Sequence, residues 1–333
     1  MRMAFSSVAT GLEQGRSQVQ RQHMKRQRTQ IHGWLVLDKP LGMSSTQALG
    51  KARWLLGAEK AGHGGTLDPL ASGVLPLAFG EATKTINWVM DGLKTYRFTV
   101  KWGAETNTDD LEGEITQRSD HVATQQDIEQ TLPQFHGAVQ QIPPSYSAIK
   151  VSGERAYALA RAGEAPELAP RTVNIESLQL EKHDGDATTF VVRCGKGTYV
   201  RSIARDLGRV LGCLGHVTYL RRLAVGPFTE ADAISLEKLA EVCERHRSEN
   251  SLAGLLRPIE TVLDGIPALA VMEPEAKRLQ QGQRVPIENM GVLLSASESL
   301  AEAEAVLVTH ADKPLGIFRI ENRVLKAIRL FNL

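Results

Sequence analysis

The sequence predicts an α+β fold, with a mixed, mostly antiparallel sheet flanked by helices and a small β-rich domain at the C-terminus. Residues 96–102 alternate between apolar and polar side chains, which is typical of a strand with one buried face. Segments with apolar residues at helical spacing lie between such runs, as in residues 45–56. After Pro258 the chain changes to short apolar runs beside turn residues, which favours a separate small barrel.

The first predicted elements are a strand and a helix, joined by a short turn. The run Trp34-Leu35-Val36-Leu37 predicts a buried strand, and the turn at residues 38–42 ends it. Either Ser44 or Ser45 can cap the next helix, because a serine hydroxyl accepts a hydrogen bond from the first turn of a helix. We expect this helix to reach about Leu56.

The middle of the chain predicts two more strands and a helix. Tyr96 lies on the apolar face of the strand at residues 96–102. Apolar residues alternate in another strand at Phe190, Val192 and Cys194. A helix begins near Arg201, and its apolar face is formed by Ile203, Leu207 and Val210.

The C-terminal part predicts one short helix and several strands. The helix covers residues 275–281, and residues 258–267 serve as a linker. Strands are predicted at residues 306–308, 315–320 and 324–328.

Composition indicates a soluble globular protein with a basic N-terminal extension. The chain has 333 residues, of which 42% are hydrophobic and 23% charged, with a net charge of +1. We expect residues 1–30 to be disordered, since they carry six basic side chains against Glu13 and few large apolar ones. A transit peptide remains an alternative, although Met24 is a plausible true start that would make residues 1–23 dispensable. No apolar run is long enough for a membrane span.

The three cysteines, Cys194, Cys213 and Cys243, are scattered and form no CxxC pair. This pattern predicts buried reduced thiols, no zinc site and a cytoplasmic location.

One carboxylate stands out, in a loop rich in glycine. Gly64 and Gly65 lack a Cβ and allow a sharp bend, while Pro69 favours an extended or turn geometry for Asp68. Such a loop is suited to presenting a reactive group, although an ordinary turn has the same composition. A carboxylate can act as a nucleophile or base without a cofactor, provided that a cation keeps it ionised in a pocket.

Arg201 is the candidate for that cation, because it follows a glycine turn and Tyr199 at a junction between strand and helix. It belongs to a basic cluster at residues 193–222, with seven Arg or Lys residues against Asp206, which is a candidate phosphate-binding surface or a solvated helix face. The sequence lacks the phosphate loop, the GxSxG elbow, the HExxH motif and a GxGxxG turn that opens a βαβ unit.

Six segments in order resemble the TruB family of bacterial tRNA pseudouridine synthases, which isomerise uridine 55 in the T-loop. The segments begin at Leu37-Asp38-Lys39-Pro40, His63-Gly64-Gly65-Thr66-Leu67-Asp68-Pro69, Gly80-Glu81-Ala82-Thr83-Lys84, Pro143-Pro144, Lys196-Gly197-Thr198-Tyr199 and His216. The resemblance implies a pseudouridine synthase-like catalytic domain at residues 31–260, with an RNA-gripping insertion at about residues 142–170. It also implies an RNA-binding PUA-like domain at residues 266–333, where the match is looser.

The resemblance implies a role for each matching residue. Asp68 is the catalytic residue, and whether it attacks the base, attacks the sugar or abstracts a proton stays open. Arg201 pairs with Asp68, Tyr96 stacks on the target base, and Tyr199 and Leu220 complete the pocket. The residues expected to contact RNA are His63, Lys84, Lys150, Lys196 and Arg221. The implied partner is the tRNA T-stem-loop, and the enzyme is expected to be monomeric. The chemistry requires no cofactor because it is redox-neutral, and no metal is expected.

Two alternatives remain at this point. A non-catalytic RNA-binding protein would keep the groove without the chemistry, and it would tolerate Asp68→Asn. A different carboxylate enzyme, such as a glycosidase, normally needs two acids that flank the scissile bond, and the Asp68 loop holds no second acid.

Overall fold

The protein is described by a computed structural model that covers residues 29–147, 149–151, 153–162, 164, 168–246, 254–287 and 303–333. The predicted disordered extension lies outside these residues up to position 28, and parts of the insertion at about residues 142–170 also lie outside them. No helix in the described part of the chain is long and apolar enough to cross a bilayer.

The first half of the chain builds one edge of the sheet and its first helices. In chain order the elements are β1 (Gly33–Lys39), α1 (Ser45–Leu56), β2 (Ala61–His63), β3 (Ala71–Phe79), α2 (Ile86–Asp91), β4 (Lys94–Trp102), β5 (Ala104–Thr106), β6 (Ile115–Arg118), α3 (Gln125–Thr131) and β7 (Gly137–Gln141).

The second half completes this sheet and adds the C-terminal one. The elements are β8 (Lys150–Val151), β9 (Glu154–Arg155), α4 (Ala156–Arg161), β10 (Arg171–Asp184), β11 (Ala187–Cys194), α5 (Val200–Val210), β12 (Gly215–Val225), β13 (Phe228–Thr229), α6 (Leu236–His246), β14 (Ala268–Ala270), α7 (Glu273–Gln280), β15 (Val285–Pro286), β16 (Val306–His310), β17 (Lys313–Glu321) and β18 (Val324–Leu330).

The larger sheet is mixed and mostly antiparallel, which confirms the predicted fold class. Its strands follow the order β1-β3-β12-β4-β11-β10-β7, with β2 beside β3 and β13 beside β12. β12 runs parallel to β3, and the other strand pairs described in this sheet are antiparallel. The parallel contact aligns Leu220 with Ala71 and Arg222 with Gly73, so β12 lies directly beside the end of the Asp68 loop.

The helix α1 forms as the sequence predicts. Ser44 is its N-cap, and a capping box joins the Ser44 and Gln47 side chains to the backbone of the first turn. Ala48, Ala52 and Leu56 form its buried face. Gly57 ends it at φ +63°, a left-handed conformation that glycine adopts without a steric penalty. Ser45, the other candidate cap, is the first residue of the helix instead.

The strands β1 and β3 are buried on both faces. Leu35 and Leu37 face the core that α1, α5 and α6 cover, while Trp34 and Val36 face a second cluster. This second cluster includes Ile317 of the C-terminal sheet, whose strand order is β14-β16-β17-β18-β15. The predicted β-rich C-terminal domain is therefore confirmed, and it packs against the larger sheet.

Two details differ from the sequence prediction. The proposed linker contributes Ile259 and Leu263 to the second cluster, so this connection is packed rather than free. Val210, expected on the apolar face of α5, is exposed because the helix ends there and the chain turns toward β12. The three cysteines are buried and form no disulfide, as expected from their spacing.

Candidate active site

The Asp68 loop connects β2 to β3 and is fixed at several points. Gly65 has φ +115°, which confirms that the bend uses a conformation open to glycine. A Cβ at residue 64 would lie 2.7 Å from Val89 Cγ1, so the backbone packs closely there. The buried Ser45 hydroxyl accepts a hydrogen bond from Leu67 N at 2.8 Å and donates one to Leu67 O at 3.0 Å. The residue before Asp68 is thus tied to the start of α1.

Arg201 lies beside Asp68, as the sequence analysis expects. Its Nη2 is 2.9 Å from Asp68 Oδ2, and the Arg201 side chain is 6% exposed whereas that of Asp68 is 41% exposed. A guanidinium at this distance forms a charge-assisted hydrogen bond with a carboxylate oxygen. The carboxylate is therefore held by a buried cation on one side and open to solvent on the other.

Arg201 is itself held by further acceptors. Its Nη1 donates to Thr108 O at 2.9 Å and lies 3.4 Å from Asp110 Oδ2, while Nη2 also donates to Tyr146 O at 2.9 Å. Asp110 is buried and accepts hydrogen bonds from Thr108 Oγ1 and from Glu112 N. The guanidinium thus bridges two carboxylates, and Asp110 anchors the end that points away from the loop.

A second buried arginine supports the same region. Arg205 Nη1 lies 3.1 Å from Asp109 Oδ2, and its Nη2 donates to Ile142 O at 2.8 Å. Burial raises the pKa of Asp109 to about 6, against the opposing effect of Arg205. Asp109 also has φ +61°, an uncommon conformation for a residue other than glycine. Strain and a desolvated charge are therefore concentrated beside the Asp68–Arg201 pair.

Two tyrosines flank the carboxylate. Burial raises the pKa of Tyr96 and of Tyr199, and Asp68 is close enough to raise both further. Tyr96 lies on β4, and Tyr199 is the N-cap of α5, where Gln141 binds both its amide and its carbonyl. Leu220 is buried and is aligned with Ala71 at the end of the loop. These predicted pocket residues therefore come from three separate elements around Asp68.

Lys39 lies fully buried near this site. Its Nζ donates to Pro40 O at 2.9 Å and to Met43 O at 2.6 Å, which closes the turn between β1 and α1. Burial lowers the pKa of Lys39 to about 8, although Asp68 opposes this shift. These contacts agree with a structural role for Lys39 beside the carboxylate.

Two of the residues expected to contact RNA differ in their contacts: Lys84 is paired within the protein, whereas the Nδ1 atom of His63 is buried without a hydrogen-bond partner in the described part of the chain. His63 is half-buried on β2, and burial and Arg222 lower its pKa. Lys84 Nζ lies 2.6 Å from Glu81 Oε2 and donates to Leu330 O at 2.7 Å. RNA contact by these two residues stays a prediction.

Two of the other three expected RNA contacts, Lys196 and Arg221, are also paired within the protein. Lys196 pairs with Asp91 at 2.8 Å, and Arg221 pairs with Asp38 at 3.0 Å and also with Glu230. The side chain of Lys150 lies outside the described residues, although its backbone belongs to β8.

The basic cluster at residues 193–222 is not a patch of free cations. Six of its seven basic residues pair with carboxylates in the described part of the chain, such as Arg209 with Glu105 and Arg193 with Glu176. The acids come from distant parts of the sequence, which is why charge counting along the chain overestimates the free positive charge. No group of three or more His, Cys, Asp and Glu side chains within the described ranges is arranged to hold a metal ion.

Two protein-family models match this chain, and together they include both residues of the Asp68–Arg201 ion pair. Residues 53–200, which include Asp68, match the model of the TruB family pseudouridylate synthase N-terminal domain. Residues 201–264, which begin at Arg201, match the tRNA pseudouridylate synthase B C-terminal domain. A relative from Bradyrhizobium diazoefficiens, tRNA pseudouridine synthase B, is 52% identical over 312 residues, covering 93% of this chain and 88% of that protein. The chain belongs to the TruB family of pseudouridylate synthases.

A second relative agrees with this assignment, and a solved structure shares the fold. The tRNA pseudouridine synthase B of Rhodopseudomonas palustris is 51% identical, and the match covers 93% of this chain and 83% of that protein. A solved H/ACA RNP bound to a substrate RNA containing 2′-deoxyuridine has a TM-score of 0.69 at 21% identity, over 93% of this chain and 87% of that one. The similarity confirms the pseudouridine synthase-like fold, and enzymes of the TruB family are isomerases.

Sequence reasoning missed three residues of this TruB site. Ser45 stands in a matching segment but was considered only as a helix cap. Asp110 carries no local signal, because its partner Arg201 lies far away in the sequence. Arg222 ends the matching segment that begins at His216 and belongs to the basic cluster, but the sequence analysis assigned it no role in the site. Only the folded structure brings them to the loop.

Proposed function

We propose that this enzyme converts uridine 55 in the T-loop of tRNA to pseudouridine, with Asp68 as the catalytic residue. The observation that carries the proposal is the ion pair between Asp68 and the buried Arg201. It presents a carboxylate at a loop that is fixed on one side by Arg201 and open to solvent on the other.

The reaction rearranges one nucleotide without a net change in oxidation state. The glycosidic bond from C1′ to N1 breaks, a bond from C1′ to C5 forms, and the hydrogen that leaves C5 is balanced by a proton on N1. Asp68 can assist by attack on the base, by attack on the sugar or by proton abstraction. Arg201 holds the carboxylate in place in each case.

The uridine must leave its stack before Asp68 can reach it. Flipping a base costs a few kcal/mol, and stacking on an aromatic side chain returns about 1–3 kcal/mol. Tyr96 lies close enough to Asp68 to supply this platform, while Tyr199 and Leu220 close the sides. His63, held neutral by burial, is suited to fill the space that the flipped nucleotide leaves.

We further propose that the T-stem-loop is the main partner and that the enzyme works as a monomer. The PUA-like domain, residues 266–333, adds a second RNA contact in this proposal. The buried cysteines form no disulfide, which agrees with the reducing conditions of the cytoplasm, where we place the enzyme.

The test uses purified protein and an unmodified T-stem-loop RNA labelled with tritium at C5 of its uridines. Bonding at C5 releases that tritium to water, so the reaction is followed directly. We expect pseudouridine at position 55 alone, in EDTA and without added cofactor, and no product when cytidine replaces uridine 55. Pseudouridine at another position, or a requirement for a metal or cofactor, would contradict the proposal.

A further inference from the structure

Arg222 is a fully buried cation next to the Asp68 loop. It is 1% exposed, and it is among the largest fully buried side chains in the described part of the chain. None of the ion pairs in the described ranges involves it, so its charge is not neutralised by a carboxylate at short range. A buried guanidinium is costly to desolvate, and it is tolerated where its donors are well satisfied.

The Arg222 donors are directed at the backbone of the catalytic loop. Nε donates to Val74 O at 2.8 Å, and Nη2 donates to Gly65 O at 3.1 Å. Nη1 points to Thr66 O at 3.5 Å, which is the outer limit of a hydrogen bond. Gly65 precedes Asp68 by three residues and Val74 follows it by six, so one side chain joins both limbs of the loop.

The backbone of Arg222 makes a further close contact with the same loop. Arg222 is aligned with Gly73 in the parallel pairing of β12 and β3. Gly73 has φ +102°, and a Cβ there would lie 2.2 Å from Arg222 O. Arg222 is also aligned with Tyr96 across β4, and its side chain interacts with the Tyr96 hydroxyl. The residue therefore contacts both the catalytic loop and the proposed stacking platform.

We propose that Arg222 is a positioning residue for the reaction. It fixes the backbone on both sides of Asp68 and holds that loop against the Tyr96 strand, without touching the nucleotide. This inference rests on the proposed function, because it concerns the rate of that reaction. The planar fork of arginine suits the task, since it carries five donors at fixed angles, whereas a lysine ammonium is a compact point charge.

The test compares Arg222→Lys with the wild type in single-turnover kinetics on the T-stem-loop RNA. The variant keeps the charge but cannot reach both limbs of the loop at once. Displacement of a reacting group by about 1 Å costs on the order of a hundredfold in rate. We expect the rate constant to fall by about that factor, while the Kd for the RNA stays within about threefold, which is under 1 kcal/mol.

Arg97→Lys is the matched control. Arg97 lies on β4 beside Tyr96 but is exposed and pairs with Glu181, so the same substitution there leaves the rate unchanged. Arg222→Met, of similar volume and without charge, replaces Arg222→Lys if the latter does not fold. If neither variant folds, Arg222 serves only the stability of the sheet, and the proposal is overturned.

The outcomes separate the two proposals. Equal rates for the wild type and Arg222→Lys would overturn the positioning role, and so would a loss that appears only in RNA affinity. Absence of turnover by the wild type and by Arg97→Lys would instead overturn the proposed function.

Discussion

At the scale of single residues, the site depends on a carboxylate whose partners come from distant parts of the chain. Asp68 is identifiable from its loop, and Arg201 from its place after a glycine turn. Asp110 was not predictable, because it contacts Arg201 only after α5 has packed on the sheet. The lesson is that a motif reveals the reactive group, whereas the groups that hold it in place are set by tertiary contacts.

The Arg201 contacts predict a loss of catalysis rather than of binding. Arg201→Ala removes the partner of Asp68 and leaves the buried Asp110 without its cation. We expect the single-turnover rate to fall by more than about a hundredfold, as for loss of a preorganised electrostatic contact. The Kd for the T-stem-loop should change by less than about tenfold, or 1.4 kcal/mol.

Arg209→Ala provides the comparison for this prediction. It removes an arginine–carboxylate pair with Glu105 from the same helix, away from Asp68. Its rate should match that of the wild type. An Arg201→Ala enzyme that turned over normally and bound RNA weakly would mean that Arg201 serves the RNA and not the carboxylate.

At the scale of elements, two adjacent serines at the N-terminus of α1 have different tasks. One caps the helix, and the other anchors the Asp68 loop. Two serines were equal candidates for the cap from the sequence, since both have the right chemistry and position. The structure assigns the cap to Ser44 and gives Ser45 a different task, which is to bind the backbone of Leu67. The sequence could not separate these roles, because the loop contact spans 22 positions.

Substitution of each serine tests this division. Ser45→Ala leaves the buried amide and carbonyl of Leu67 without partners, which costs about 1–3 kcal/mol. Since Leu67 precedes Asp68, the reaction rate should fall as well. Ser44→Ala removes only a cap, at about 1 kcal/mol, and should leave the rate unchanged.

Urea unfolding and single-turnover kinetics on both variants measure the two effects separately. A rate loss of equal size in Ser44→Ala and Ser45→Ala would show that the loop responds to the helix as a whole. It would then argue against a specific anchor at Ser45.

At the scale of the whole molecule, the two sheets share a core that the sequence did not predict. The apolar run at residues 34–37 indicated that β1 is a buried strand, yet nothing in the local sequence showed that its second face is covered by the C-terminal domain. The free positive charge of the basic cluster was also not predictable from the local sequence. The basic cluster at residues 193–222 looked like a phosphate-binding surface, and its partners became visible only in the folded chain.

A polar contact joins the two domains beside this core. Glu81 Oε2 binds Lys84 Nζ at 2.6 Å and accepts a hydrogen bond from Asn332 N at 2.8 Å. Burial acts to raise the pKa of Glu81, but Lys84 and Asn332 outweigh it and the pKa is lowered. A carboxylate with a lowered pKa stabilises the fold above its unfolded value of 4.5, and this contribution is lost as the pH falls through the folded pKa.

Glu81→Gln should therefore destabilise the protein in a pH-dependent way. We expect the free energy of unfolding at pH 7 to fall by about 1–3 kcal/mol, the range for hydrogen bonds to charged groups. The difference from the wild type should shrink as the pH is lowered below 4.5. Glu321→Gln, which removes exposed pairs within the C-terminal domain, should cost at most about 1 kcal/mol. A Glu81→Gln difference that is constant with pH would contradict the linkage.

If the Asp68 carboxylate performs the isomerisation, Asp68→Asn should abolish the reaction without abolishing binding. The amide keeps the shape of the side chain but removes its charge, so the variant should bind the T-stem-loop with a Kd within about threefold of the wild type. Tritium release from C5-labelled RNA is then measured for both proteins under single-turnover conditions. We expect pseudouridine from the wild type and none from Asp68→Asn, and pseudouridine formed by the purified variant would show that another group carries out the chemistry.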